Sequence, residues 1–140
     1  MGFFKKKEQQ PIRPVQWKIS RSCLHLIQET AKSSFPNEFG GLLRVDSKAK
    51  DTIVELVLLP GTISGESHAL FQLHMMPIDY SVVGTIHSHP SGIPFPSDED
   101  FFFFNKYGKI HIIMASPFTE ASWNGFDYTG KQHTIDIVDG

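Results

Sequence analysis

The chain has 140 residues, 40% hydrophobic and 20% charged, with twelve phenylalanines and a formal net charge of -2. That is enough apolar chain for one self-sufficient domain, and the weakly negative balance excludes the basic field that nucleic-acid binding needs. Cys23 is the only cysteine, which rules out an internal disulfide and a thiolate-type structural zinc site and points to a reducing, cytoplasmic setting.

Residues 1–18 read as an N-terminal arm and 19–140 as a single domain. In the arm, Phe3 and Phe4 precede Lys5, Lys6 and Lys7, the reverse of a secretion signal, and no run in the chain approaches membrane-spanning length. From Ser20 onward Cys23, Leu24, Ile27 and Ala31 fall at helical spacing, with Ser20 as N-cap and Ser34 to Asn37 as the stop. Three segments rich in β-formers follow, Phe39 to Val45, Thr52 to Leu59 and His68 to His74. Tyr80 to His89 is strand-like, after which Pro90, Gly92, Pro94 and Pro96 force an extended loop. The run Ser97-Asp98-Glu99-Asp100 before Phe101 to Phe104 has the form of a capping box opening a second helix. Lys109 to Ala115, Ser122 to Tyr128 and Lys131 to Val138 read as closing strands, the last two joined across Thr129-Gly130.

His87 and His89 are two apart in a strand, so both imidazoles leave the same face and form a nitrogen clamp. Asp100, in the first turn of the next helix, supplies an oxygen as third ligand. A His2Asp set leaves one tetrahedral position open for water, which marks a catalytic rather than a structural zinc. Glu38, beside Gly40 and Gly41, is cast as the general base that shuttles a proton from water to the leaving amine. Ser97 is the candidate hydrogen-bond donor to an oxyanion. Each of these has a plainer explanation when taken alone: Ser97 and Asp100 as a helix cap, Glu38 as a solvated carboxylate, and the Phe101 to Phe104 run as core. His25, His68, His74, His111 and His133 are left without a role, and Cys23 is expected to pack in the first helix.

Taken together, the pattern resembles the JAMM metalloproteases, also called the MPN-plus or JAB-domain family. Their signature is a Glu, then at a distance H-x-H-P, seven residues between the second His and a Ser, then x-x-D. Here it is met by Glu38, His87-Ser88-His89-Pro90, Ser97 and Asp100. The resemblance covers roughly Ser20 to Val138 and implies an α/β fold, a mixed, curved β-sheet flanked by helices with an architecture like that of the cytidine deaminases. It also implies one zinc on His87, His89 and Asp100, Glu38 as base and Ser97 as oxyanion donor. Deaminase chemistry itself needs a Cys-x-x-Cys pair that this chain lacks. The activity implied is hydrolysis after the C-terminal Gly-Gly of a ubiquitin-like small modifier. The alternatives are a peptidase processing a sulfur-carrier protein and a non-catalytic MPN scaffold. The chain resembles a minimal prokaryotic or archaeal form, short of the insertions that select ubiquitin linkages in eukaryotic members, and the brief Met75 to Ser81 segment implies an open groove.

Overall fold

The computed structural model describes residues 15–58 and 79–140. The strand expected over His68 to His74, and most of the Met75 to Ser81 segment, lie outside the described residues. Strand β1 (Lys18–Ser20) runs straight into helix α1 (Arg21–Ser34). Ser20 caps that helix as expected, its side-chain oxygen accepting the Cys23 N–H at 3.2 Å. The helix stops where Phe35 donates its N–H to the Ala31 carbonyl, because Pro36 has no N–H with which to continue. Cys23, Leu24, Ile27 and Ala31 form its buried stripe.

Next come β2 (Gly40–Val45) and β3 (Thr52–Leu58), paired antiparallel, and β4 (Val82–His89), antiparallel to β2 on its other side. Helix α2 (Asp98–Lys106) then crosses over to β5 (Ile110–Ala115), which lies parallel to β4. Two glycines permit that tight return. A Cβ on Gly84 would stand 1.4 Å from the Ile110 carbonyl oxygen, and one on Gly108, at φ +90°, would stand 2.6 Å from the Gly84 Cα. The chain closes with β6 (Trp123–Asp127), β7 (Gln132–His133) and β8 (Asp136–Val138).

The strand order is β7-β6-β5-β4-β2-β3-β1-β8. The one strand expected over Lys131 to Val138 is therefore two, and they occupy opposite edges of the same sheet. Only Thr134 and Ile135 separate them, a reach of roughly 10 Å, whereas the edges of a flat eight-stranded sheet lie about 34 Å apart. The sheet must curl until its edges nearly meet. Ile135 is buried at that closure, against Gly125. The residues just before α1 complete the curl. Lys18, in the stretch expected as an arm, pairs with Thr52 on one side and Asp136 on the other, and Trp17 is buried.

The main core joins α1 to one sheet face through Ile19, Leu43, Ile53, Leu56, Ile86, Ile112 and Met114. On the other face α2 seats Phe103 and Phe104 against Ile113 and Phe126. Alternation along β4 sends Ile86 to the α1 side, while Thr85, His87 and His89 point to the side of α2.

Candidate metal centre

The centre lies at the C-terminal end of β4, where the strand meets the N-terminus of α2. Ser88, between the two histidines, points into the other layer and is fully buried. It fastens the neighbouring chain: Phe39 donates its N–H to Ser88 Oγ at 2.9 Å, and the Ser88 N–H donates to the Phe39 carbonyl at 3.0 Å. This clip fixes the strand from which the imidazoles project.

Asp100 is buried completely, and a capping box holds it there. Its N–H donates to Ser97 Oγ at 3.2 Å, and its Oδ2 accepts the Ser97 N–H at 2.8 Å. With Oδ2 engaged by the cap, Oδ1 is turned toward His87 Nε2 at 2.9 Å, and His89 Nε2 lies 3.3 Å from Oδ2. The two Nε2 atoms are 3.1 Å apart. The capping role of Ser97 and Asp100 is compatible with a ligand role for Asp100, because the cap aims the carboxylate toward the histidines.

His89 Nδ1 lies 2.9 Å from the Ile93 carbonyl oxygen. A carbonyl can only accept, so Nδ1 carries a proton, and Nε2 is the nitrogen that would present its lone pair to a metal. Burial works against a charge on His89, but the Asp100 carboxylate, the Ile93 carbonyl and the field of Glu38 together hold its pKa above the ordinary value. Glu38 is exposed, one residue before the Phe39–Ser88 clip, and near enough to His89 for its charge to be felt there. Gly40 lies opposite His87.

These three residues fit a zinc ion. Their ligand atoms, one from each residue, lie within 4.8 Å of one another, and the two histidine Nε2 atoms at 3.1 Å are near the roughly 3.3 Å edge of a tetrahedron with zinc–nitrogen bonds of about 2.0 to 2.1 Å. Two neutral imidazoles and one carboxylate are also the donor types of a catalytic zinc.

Sequence reasoning missed two features. Asn124 donates from Nδ2 to the Pro94 carbonyl at 2.9 Å and so ties the proline-rich loop to β6. His111 is fully buried on the site's side of β5 and makes a 2.6 Å contact with Thr85 Oγ1. Its signal was in the alternation of β5, where Ile110, Ile112 and Met114 face α1 and His111 cannot. Of the other histidines, His25 contacts Glu120 at the surface and His133 contacts Asp127, while His68 and His74 lie outside the described residues.

Comparison with known proteins agrees with the geometry. Residues 20–125 match the family described as prokaryotic homologs of the JAB domain. The chain is 33% identical over 128 residues to a Haloferax volcanii protein described as a probable metalloprotease, covering 86% of this chain and 79% of that one. It is 35% identical, at a TM-score of 0.70, to a JAB1/MPN domain protein from Archaeoglobus fulgidus, over 89% of this chain and 100% of the other. A structure described as "JAMM: a metalloprotease-like zinc site in the proteasome and signalosome" is 38% identical at a TM-score of 0.68, over 88% and 98%. The chain belongs to the JAB-domain family, in its prokaryotic form, and is a metalloprotease of that family.

Proposed function

We propose that the chain is a zinc-dependent isopeptidase or peptidase that cuts after the C-terminal Gly-Gly of a ubiquitin-like small modifier. The observation that carries the metal chemistry is the convergence of His87, His89 and the buried Asp100 within ligand distance of one another. These three residues would hold the ion. When bound, zinc supplies the Lewis acidity that makes water nucleophilic near pH 7 and polarises the scissile carbonyl.

The chain's own groups do the rest. Glu38, open to solvent and within electrostatic reach of His89, takes a proton from the attacking water and passes it to the leaving amine. Ser97 accepts the Asp100 N–H at its Oγ, and its hydroxyl proton remains to be donated to the developing oxyanion. A Gly-Gly tail suits the site because it has no side chains to accommodate. Both edges of β4 are occupied, by β2 and β5, so the tail lies across the face of the site instead of extending that strand. Ile93 and Phe95, exposed on the loop beside the ligands, offer apolar contact to the body of the modifier.

The test joins elemental analysis for zinc to hydrolysis of a fusion carrying a ubiquitin-like modifier that ends in Gly-Gly. Glu38→Gln is expected to keep the metal and lose roughly a hundredfold to ten-thousandfold in rate. If the native chain takes up no zinc and no added divalent metal produces cleavage, the reading fails and a scaffold role takes its place.

A further inference from the structure

The helix that carries Asp100 is short, and the carboxylate must arrive at one place. Helix α2 has nine residues, of which Asp100, Phe103 and Phe104 are buried. A helix of that length has little stability of its own and takes its orientation from what its buried face touches. Asp100 and Phe104 are one turn apart, on the same face, and neither is exposed at all. The contact made by Phe104 therefore sets the rotation at which Asp100 meets the histidines.

That contact is His111. The Phe104 and His111 rings stack with centroids 4.3 Å apart and planes 9° from parallel. The Phe104 ring also faces His87, at 6.3 Å and 47°, and Phe126, at 5.9 Å and 24°. On the far side of the stack the imidazole is keyed to the sheet. Thr85 Oγ1 approaches His111 Nδ1 at 2.6 Å, between residues that sit opposite one another in the parallel β4/β5 register. Thr85 itself is 2% exposed and His111 is fully buried. The Gly108 and Phe104 carbonyls also face the imidazole, and the Thr85 hydroxyl is the side-chain partner that keys the plane of the ring to β4.

We propose that His111 is a positioning residue for the metal centre: locked to Thr85 and stacked on Phe104, its ring sets the seat of α2 and thereby the carboxylate of Asp100. The inference rests on the reading that His87, His89 and Asp100 hold the metal. An apolar ring at this place would still stack on Phe104 but would lose the contact that keys it to Thr85. The tolerance is narrow. Side-chain atoms stand about 5 to 6 Å from a helix axis, so a 10° turn of α2 moves the carboxylate by roughly 1 Å, beyond the roughly 0.5 Å within which such constellations must be held.

Two changes separate positioning from packing. Thr85→Val removes the hydroxyl and keeps the volume, so it is the decisive variant; His111→Phe removes the ring nitrogens and adds the bulk of a six-membered ring. Zinc affinity, by competition with a chelator, and the visible spectrum of the cobalt-loaded protein are measured beside urea unfolding of the metal-free chain. Both variants are expected to bind zinc ten- to a hundredfold more weakly than the native chain and to show altered cobalt bands, while Thr85→Ser restores both. If affinity and spectrum stay within threefold and unchanged while only the unfolding midpoint moves, His111 is core packing and the inference falls alone. If the native chain itself binds no metal, the reading beneath it falls first.

Discussion

The two faces of the curled sheet solve different problems with the same backbone. Toward α1, buried polar side chains bond to main chain: Ser20 caps its helix, Ser88 clips Phe39, and Gln28 donates to the Phe118 carbonyl. The rest of that layer is Ile, Leu, Met and aromatic packing. Toward α2 the buried polar side chains face each other, Thr85 against His111 and Asp100 against His87 and His89, over a small aromatic cluster. Most side-chain hydrogen bonds in proteins go to backbone or water. A layer in which buried polar side chains seek one another has been given up by the core for use as a site. The strand β4 serves both layers by alternation, so the rigidity of the first is delivered directly to the second.

If that division is real, the two layers should fail separately. Asp100→Ala should abolish zinc binding and hydrolysis together, while the curl and the α1 core remain, as circular dichroism and near-ultraviolet spectra would report. Leu24→Ala, in a fully buried site on α1, should cost about 2 to 5 kcal/mol in urea unfolding and leave zinc affinity close to native at temperatures where the variant is folded. A Leu24 variant that lost metal in proportion to its stability would show that the layers are one unit.

Acid sharpens the contrast. Burial, aided by the nearby His87, pushes the pKa of His111 down to about 3, against the opposing pull of the Gly108 and Phe104 carbonyls. In the unfolded chain a histidine titrates near 6.5. The unfolded state thus binds more protons between those values, and the contribution of His111 is full above about pH 6.5 and lost as pH falls toward 3. His89 has the opposite sign, since its raised pKa contributes below its unfolded value and is lost as pH rises. The pKa of Asp127 is lowered: burial raises it, but hydrogen bonds from Thr129, Lys131 and His133 outweigh that. Asp127 weakens the fold only further down, below about pH 4. Urea midpoints of the metal-free chain at pH 7.5 and pH 5 isolate the histidine when the native protein is set beside His111→Phe. The variant should lose much less stability between the two; equal losses would mean that the buried ring is not the acid-sensitive element.

How much of this could be read beforehand follows the length scale of each signal. Helix α1 was legible from its apolar stripe and its Ser20 cap, and the meeting of His87, His89 and Asp100 from two local rules, alternation in a strand and capping at a helix start. The strand β1 and the break that splits Lys131 to Val138 into β7 and β8 were not, because segments of two or three residues carry no period, and the places of β1 and β8 are set by the closing of the curl. Thr85 and His111 are 26 residues apart, and nothing local joins them. Their contact depends on the parallel register of β4 against β5, which in turn depends on the close approach of Gly84 to Ile110. The candidate site residues lie on short-range patterns, and the Thr85–His111 contact beside them depends on tertiary register.

Ser97 is the point where structure and chemistry are hardest to tell apart, and the expected stability effect is the smallest of the set. It belongs to the α2 cap through its Oγ and its N–H and is also the proposed oxyanion donor. Ser97→Ala should cost about 1 kcal/mol of stability from the lost cap, but on the order of a hundredfold to a thousandfold in kcat if the hydroxyl stabilises the transition state. The substitutions around it decide between the two roles. Ser97→Thr keeps cap and donor and should restore both quantities. Ser97→Asp is a good cap with no proton to give at pH 7, so it should recover stability without recovering kcat. Should Ser97→Asp recover kcat as well, the serine acts only by holding Asp100 in its box, and the oxyanion must be stabilised by other groups.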